Sequence, residues 1–403
     1  MSRPSINGDF SMSAFWAGLT CFVWYAFGAL PLHVAVSVQL GLTAAETSSW
    51  VFIVWFTGAV TSIFLSIKYR QPIPITWTIP GMIYIGTLAG QYSFAEILGA
   101  NLVAGIAITF LGIYGFGQRI MTWMPLPIIM GMFAGSILIY VTRMVEATVT
   151  DASVAGLTVA AYLVGRGLKN PKLPPMGLAV VIGGIAAWLW GDIKAAAVPF
   201  ELPNVELYAL SFNPSAMIAV SLPLIILTMG LGNIQGLGFL VAQGYKVPVT
   251  QVTVAVGINS MINALFGGHP GTVARAGAAI VASEDAGPME KRYCANLVAS
   301  GLVIFMALSA SSVAALVGIL PKSFVFALAG LAIFTSLQGA VEKAFQGKLA
   351  FGALVAFAVS ATPFAVAGIT SAVWAIVAGI GASLIAERED LLLYWKGSDP
   401  ESP

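Results

Sequence analysis

The chain has 403 residues, of which 58% are hydrophobic and only 9% are charged, and its mean hydropathy is +0.91. Soluble domains carry about 25% charged residues, so this composition excludes a soluble globular protein. The net charge of +1 and the lack of a basic cluster argue against any nucleic-acid partner.

Apolar segments recur from Phe15 to Ile385, so a single signal peptide or anchor does not account for them. A membrane span needs about 20 apolar residues. Between polar and proline-rich breaks the sequence predicts fourteen segments, of which the third and tenth are short, broken and only partly helical. They cover 14–37, 48–67, 73–89, 93–116, 124–142, 150–166, 176–191, 215–241, 248–266, 268–283, 291–311, 323–341, 348–363 and 367–386. We therefore expect an all-α polytopic membrane protein.

The positions of lysine and arginine predict the orientation of these segments. With the N-terminus inside, fourteen of them fall on the cytoplasmic side and three on the outer side, which is a strong positive-inside bias. The outer three are Arg143, Lys194 and Lys322. We expect a bacterial inner-membrane protein with cytoplasmic tails at 1–13 and 387–403 and an outer connecting segment at 192–214.

An internal repeat relates the two halves of the chain. The pentapeptide Ala-Asn-Leu-Val-Ala at 100–104 recurs at 295–299, which is 195 positions later (295 − 100). The same offset pairs the Ala-Gly at 134 with the Ala-Gly at 329. Seven segments per half is an odd number, so the copies at 14–191 and 215–386 must be inverted. The offset superposes 74–86 on 269–281, and we expect the two broken segments to face each other.

Residues 266–282 read FGGHPGTVARAGAAIVA, a glycine-proline break in an apolar surrounding. Such a break is tolerated at membrane depth only where protein or a water-filled cavity encloses it. A charge there costs about 3 kcal/mol and usually faces a pathway. Broken half-helices near the midplane build substrate sites in many secondary transporters.

Arg275 lies in this break and is the first candidate for binding an anion, because a guanidinium group can bind a carboxylate through two parallel hydrogen bonds. A half-helix N-terminus expected around Gly271–Val273, which includes Thr272, would add N–H donors. Three alternatives to anion binding stay open. The side chain of Arg275 could extend to a membrane surface, or it could hydrogen-bond to a backbone carbonyl. It could also supply a fixed positive charge that replaces a coupled cation.

His269 and His33 are the only histidines, and both fall within apolar segments. Either is a candidate for proton coupling, and His269 also for substrate binding, because histidine titrates near neutral pH. The alternative is a hydrogen-bonded spacer between helices. His33 follows Pro31, where we expect local unwinding of the first segment. No Asp or Glu lies deep in a predicted span, so a coupled proton would travel on a histidine, on a carboxylate at a span end, or with the substrate.

Seven motifs are spread along the chain. They are SSW at 48–50, YRQP at 69–72, WTIPG at 77–81, PLPIIMGMFAGSIL at 125–138, GN at 232–233, GYKVPV at 244–249 and FGGHPGTVARAGAAI at 266–280. Together they resemble the benzoate:proton symporter (BenE) family, which is related to the uracil/xanthine permeases and the sulfate/anion exchangers. The similarity runs over about residues 14–386.

This resemblance implies a seven-plus-seven inverted repeat divided into a core domain and a gate domain. In that architecture the third and tenth spans each begin as a short extended strand and continue as a half-helix. Substrate then binds between them, beside the first and eighth spans. The relatives also imply a possible homodimer.

The eighth span offers a distinction between substrates. In the related nucleobase permeases this span carries a substrate-binding glutamate, and the residue aligned with it here is Met229, which argues against a nucleobase. Asn233 and Gln235 remain as polar candidates for substrate binding. Their alternative role is hydrogen bonding between helices, worth about 0.6 kcal/mol each in a membrane.

The third span supplies Thr76, Trp77 and Thr78 between two prolines. Trp77 is a candidate for stacking on an aromatic ring, and the threonines for binding polar atoms. The alternative for Trp77 is a residue of the interfacial aromatic belt. Phe27 of the first span is a further aromatic candidate.

These observations predict a secondary transporter that imports a small organic anion, best matched by benzoate or a similar aromatic carboxylate, by proton symport and alternating access. Its partners would be that anion, protons and membrane lipid. No cofactor, metal site or catalytic residue is expected, and the chain is not an enzyme. A nucleobase or inorganic-anion transporter, an uncoupled facilitator and, more remotely, a channel or intramembrane enzyme remain as alternatives.

Overall fold

The computed structural model describes residues 8–115, 125–168, 175–191, 193 and 201–396. The side chains at 27, 28 and 316–318 are outside the described part, and so is the Phe27 side chain proposed for the site. The described part of the chain is mostly helical.

Sixteen main helices and four short strands are found in the described residues, besides a π-helical turn at Ala152–Gly156 and 3-10 turns at Glu284–Ala286 and Met289–Lys291. The helices are α1 (Met12–Leu40), α2 (Ala44–Tyr69), α3 (Ile79–Thr87), α4 (Phe94–Ile113), α5 (Leu126–Thr150), α6 (Leu157–Leu168), α7 (Pro175–Trp190), α8 (Pro214–Ala242), α9 (Val249–Leu265), α10 (Arg275–Val281), α11 (Tyr293–Ala307), α12 (Ala310–Ile319), α13 (Lys322–Phe345), α14 (Ala350–Ala361), α15 (Ser371–Ala386) and α16 (Arg388–Trp395). The strands are β1 (Ile75–Trp77), β2 (Gly271–Val273), β3 (Ala365–Val366) and β4 (Ile369–Thr370).

Six of these helices are long and apolar enough to cross a membrane by length and composition. They are α1, α2, α4, α5, α8 and α13. A seventh crossing arises if α15 and α16, which meet at a bend of 113°, form one span. Because the other apolar helices are shorter, the count of fourteen spans stays a prediction.

Local sequence signals explain where several helices begin. Thr43 and Glu46 form a capping box at the start of α2, and Ser93 and Glu96 form another at the start of α4. Each box satisfies backbone N–H groups that the first turn leaves without an intrahelical partner. The unwinding expected near Pro31 was wrong: α1 runs through it without a break. A helix held by neighbours on several sides tolerates the loss of one N–H donor.

The helices form two packed groups. In the first, α4 packs on α9, and α11 packs on both α1 and α2. In the second, α5 packs on α13 and α14, and α14 packs on α15. Contacts between the groups include α1 with α13 and α3 with α5, where Tyr140 donates a hydrogen bond to the Ile83 carbonyl at 3.0 Å.

At the centre of the first group, β1 and β2 pair antiparallel, with Ile75 opposite Val273 and Trp77 opposite Gly271. The third predicted segment therefore consists of β1 followed by α3, and the tenth of β2 followed by α10. Buried hydroxyls extend the pairing on both sides. Ser62 accepts from Ile75 N at 2.6 Å, and Ser260 accepts from Gly271 N at 3.0 Å. Main-chain groups in the break are thus satisfied within the protein, as membrane depth requires.

The repeated pentapeptide has a structural role in both halves. Asn101 of α4 donates to the Gly268 carbonyl at 3.1 Å, directly before the β2 segment. Its counterpart Asn296 of α11 donates to Ser66 at 2.9 Å, and Ser66 in turn accepts from Ile73 N, directly before β1. Both amides are 1% exposed. Each copy of the repeat therefore uses its asparagine to hold the chain that leads into one central strand.

Replacing Asn101 with Ala removes the donor to a buried carbonyl, so we expect a loss of about 1 kcal/mol. The melting temperature of the detergent-purified protein should fall by about 2 °C. Asn296→Ala should produce a similar loss, whereas Gln346→Ala, at an exposed position, should leave the melting curve unchanged. Equal melting temperatures for all three variants and the parent would contradict this role.

Candidate functional site

A cavity of about 180 Å³ lies beside the β1–β2 pair. Its walls come from the first segment, both broken segments and α8, with one residue from α13. They are Trp24, Tyr25, Thr76, Trp77, Ile79, Pro80, Leu231, Gly232, Thr272, Val273, Ala274, Arg275, Ala276 and Ser336. Arg275 is the one charged side chain among them. A cavity with apolar and aromatic walls and one convergent cation fits a small anion that carries an apolar body.

Arg275 is the first residue of α10, and its side chain is exposed. Its Nη1 donates to Gln235 Oε1 at 3.2 Å, so two residues proposed for the site contact each other. The expectation that a half-helix begins around Gly271–Val273 was wrong. Those residues form β2, because they pair with β1, and α10 begins two residues after the strand.

Four of the predicted site residues line this cavity: Thr76, Trp77, Thr272 and Arg275. Thr78 does not. It is fully buried, and its Oγ1 caps α3 by accepting from Gly81 N at 3.3 Å. Gln235 takes part only through its bond to Arg275.

Asn233 is also absent from the cavity wall. Its Oδ1 accepts from Val273 N at 2.9 Å and from Thr272 Oγ1 at 3.2 Å, and its Nδ2 donates to Met229 Sδ at 3.4 Å. Asn233 and Met229 line a different cavity, of about 380 Å³, with apolar residues of α4 and α9. The structure thus shows Asn233 holding β2 by hydrogen bonds. Met229 does not line the Arg275 cavity.

A wide, π-helical turn at Leu227–Asn233 interrupts the regular winding of α8 beside β2. Such turns occur often at functional sites. Within it, Gly232 allows close approach of the strand: a Cβ there would lie 1.7 Å from Thr272 Oγ1. Glycine is therefore required where α8 crosses β2.

His269 and His33 lie behind Trp77, not in the cavity wall. Both are buried, with exposures of 1% and 0%, and their ring centroids are 5.8 Å apart. Trp50 Nε1 donates to His269 Nδ1 at 2.8 Å, and His33 Nδ1 bonds to the Ala29 carbonyl at 3.0 Å. The ring of His33 is 5.2 Å from that of Trp77, which itself stacks on Trp55 at 4.4 Å.

Among the described residues, no group of three or more His, Cys, Asp or Glu side chains is arranged to hold a metal ion. The cavity wall likewise contains no carboxylate. The chemistry available there is hydrogen bonding, charge attraction and ring packing.

The sequence pattern of the BenE family, described as benzoate membrane transport protein, matches residues 8–385. The chain belongs to the BenE family. Members of this family are membrane transport proteins, so the chain is a multi-pass membrane transporter and not an enzyme.

Two relatives match this BenE-family chain over nearly its whole length. The benzoate membrane transport protein of Acinetobacter baylyi is 27% identical over 384 residues, which cover 94% of this chain and 97% of that protein. The inner membrane protein YdcO of Escherichia coli is 28% identical over 378 residues, covering 92% and 95%.

Among solved structures, the transmembrane domain of the cyanobacterial bicarbonate transporter BicA superposes with a TM-score of 0.58 at 20% identity. The match covers 92% of the BenE-family chain and 99% of that domain. The chain therefore shares the seven-plus-seven fold of that domain.

Outside the two broken segments and α8, sequence reasoning missed three residues of the cavity. Trp24 and Tyr25 of α1 line it, whereas Phe27 was chosen from the same helix. The third, Ser336, is the single lining residue from α13. The hydrophobic pattern carried no signal for Trp24 and Tyr25, because α1 is apolar on most sides.

We expect Gly232→Ala to destabilise the protein by about 1–3 kcal/mol, because the new methyl group overlaps Thr272. Gly238→Ala on the same helix is the control: nothing lies within 4 Å of the point that its Cβ would occupy, and alanine should stabilise by about 0.5–1 kcal/mol. Adding Thr272→Ala to Gly232→Ala should restore part of the loss in thermal unfolding. Additive losses in the double variant would contradict the contact.

Proposed function

We propose that this transporter imports a small aromatic carboxylate, with benzoate as the best match, by proton symport and alternating access. The observation that carries the proposal is the cavity in which Arg275 and the rings of Trp24, Tyr25 and Trp77 share one wall. A carboxylate would bind the guanidinium, and the ring would pack on the aromatic side chains.

Charge at this cavity favours an anion over a nucleobase. The polar partner of Arg275 is the neutral amide of Gln235, and no carboxylate lines the wall. Nucleobases need acceptors for their ring N–H groups, and this wall presents hydroxyl groups and one cation instead.

The relatives support an anionic substrate. The Acinetobacter baylyi protein is named as a benzoate transporter, and the BicA domain belongs to a bicarbonate transporter. Both named substrates are carboxylate-type anions. Because the two proteins are only 27% and 20% identical to this chain, the residues of the cavity are the better guide to which anion is bound. Its aromatic walls favour the larger, apolar benzoate.

For alternating access, we propose that the first helix group is the core domain and the second is the gate domain. α8 packs on β2 and α10 and so belongs with the first group. The cavity takes all of its wall from this group except Ser336 of α13. The two groups also meet through the hydrogen bond from Tyr140 to Ile83. Substrate bound to the core would change its exposure when the core moves against α5 and α13.

We propose the bacterial inner membrane as the location, with both termini cytoplasmic. The relative YdcO is named as an inner membrane protein. Asp9 forms ion pairs with Arg70 and Lys291, so the N-terminal segment and two lysine- and arginine-bearing loops lie on one side. The positive-inside rule makes that side cytoplasmic.

Uptake by proteoliposomes tests the proposal directly. Saturable uptake of labelled benzoate, accelerated by an inside-alkaline pH gradient, is the expected result. An uptake rate that is the same with and without the pH gradient would indicate a facilitator. Preferential uptake of uracil or sulfate would indicate another substrate. Currents without saturation would indicate a channel.

Replacing Arg275 with Ala should weaken benzoate binding by about 10- to 100-fold, which is the effect of losing a charge-assisted hydrogen bond. Arg275→Lys should give an intermediate affinity, because lysine keeps the charge without the planar fork. Arg388→Ala removes the same charge from the exposed helix α16 and should bind normally. Isothermal titration calorimetry measures the affinities. An unchanged Kd for Arg275→Ala would contradict the proposed contact with the carboxylate.

Removing the Trp24 ring should affect aromatic substrates selectively. Ring packing contributes about 0.5–1.5 kcal/mol, so Trp24→Ala should weaken benzoate binding about 2- to 10-fold and leave propionate binding unaltered. Trp24 is 39% exposed, so the variant is expected to fold. Trp188→Ala, at a 73% exposed position of α7, is the control. Equal losses for both acids would place Trp24 outside the ring site.

A further inference from the structure

We propose that His33 and His269 form one proton-binding unit, and that its charge is coupled to the anion in the cavity across Trp77. The inference rests on the proposed proton-coupled uptake and specifies where the proton resides. It begins from the hydrogen-bond partners of the two rings.

Those partners dictate opposite tautomers. Indole N–H only donates, so His269 Nδ1 must accept from Trp50 Nε1, and the proton of neutral His269 is on Nε2. A backbone carbonyl only accepts, so His33 Nδ1 must donate to Ala29, and His33 Nε2 carries a lone pair. One ring therefore offers an N–H donor and the other an acceptor, at a centroid distance of 5.8 Å.

Both of these Nε2 atoms are buried and have no hydrogen-bond partner among the described residues. The neighbouring indole nitrogens of Trp55 and Trp77 have none in that part of the chain either. Buried polar atoms without partners are rare, and four of them in one cluster call for an explanation. A lone pair on His33 Nε2 that is free to take up an incoming proton, beside the N–H group of His269, provides one.

Other titratable groups on the surrounding elements are set apart from the pair. Within the described residues, none of them hydrogen-bonds to either imidazole. They include Cys21 and Tyr25 of α1, Glu46, Lys68 and Tyr69 of α2, Glu206 and Tyr208 of the segment before α8, Arg275 of α10, Tyr293 and Cys294 of α11, and Glu342 and Lys343 of α13. Of these, Tyr25 has its ring 5.9 Å from Trp77, and Arg275 shares the cavity wall with Trp77.

Uptake of one proton changes the two Nε2 atoms from one donor and one acceptor to two donors. The incoming proton bonds to the lone pair of His33 Nε2, so both nitrogens of His33 then carry protons and the ring is a cation. His269 keeps its own Nε2–H, so a second proton would have to displace the Trp50 bond at His269 Nδ1 and place a like charge at a ring-centroid distance of 5.8 Å, and it is strongly disfavoured. The pair therefore holds a single additional proton, and the bond to Ala29 is kept throughout.

The resulting charge lies directly behind the cavity wall. His33 packs edge-on against Trp77, and Trp77 lines the cavity that contains Arg275. A unit charge that acts over about 10 Å at an effective dielectric of about 20 changes the affinity for an opposite charge about tenfold. Anion and proton then strengthen each other's binding by the same factor, with no proton passed to the substrate.

Nuclear magnetic resonance of the wild-type protein tests the pair without any variant. Because the chain has only two histidines, ¹⁵N-histidine labelling of protein purified without a histidine tag yields two imidazole spin systems. At high pH we expect His269 as the Nε2–H tautomer and His33 as the Nδ1–H tautomer. Both rings should respond at one common midpoint as the pH falls. Identical tautomers, independent midpoints or no response down to about pH 5.5 would overturn the proposal.

Benzoate titrations at about pH 8 and about pH 6 test the coupling to the anion. We expect wild-type affinity to rise about tenfold at the lower pH, and benzoate to raise the midpoint of both histidine signals by the reciprocal amount. His33→Gln and His269→Gln should each flatten this pH dependence while still binding benzoate. Thr47→Val, a buried polar change in α2, should keep it. An unaltered pH dependence in both histidine variants would refute the coupling.

The two experiments separate this inference from the proposed function. If benzoate fails to bind, the substrate assignment is wrong, yet the tautomers and shared midpoint still decide whether the pair exists. If benzoate binds and the histidines titrate apart, the transporter assignment stands and the pair does not.

Discussion

The pairing of β1 with β2 is the interaction on which the centre of the protein depends. At membrane depth a broken helix exposes main-chain groups that lipid cannot satisfy, and here each strand satisfies the other. Ser62 and Ser260 complete the pattern from α2 and α9, and Asn233 clamps β2 from α8. This pairing brings the starts of α3 and α10 together and so creates the cavity beside Trp77 and Arg275.

Much of the fold was predictable from the sequence because its signals are local or repeated. Apolar length indicated the spans, and the offset of 195 between two identical pentapeptides indicated the facing breaks. The start of α10 was not predictable in this way. Three residues are too few for a strand pattern to show in the sequence, and Gly271–Val273 are extended where they pair with β1, a contact between residues about 200 positions apart.

The site was predictable only in part for a related reason. Arg275, Trp77, Thr76 and Thr272 stood out because they fall in or beside a break. Asn233 has equally suggestive chemistry, yet the turn at Leu227–Asn233 directs it towards β2. Its direction depends on helix winding that residue types do not report. The pairing of His33 with His269 likewise needed the distance between two distant segments of the chain, although both residues were identified as candidates singly.

The neutral side chain of Gln235 bears on how readily Arg275 would accept an anion. Its amide oxygen is the polar partner of Arg275. A neutral oxygen binds a guanidinium group less strongly than a full negative charge does. An acidic residue at this position would form an ion pair with Arg275 and compete with a bound anion on equal terms. In the proposed transport cycle, the amide would therefore give up its place at Arg275 to each incoming anion.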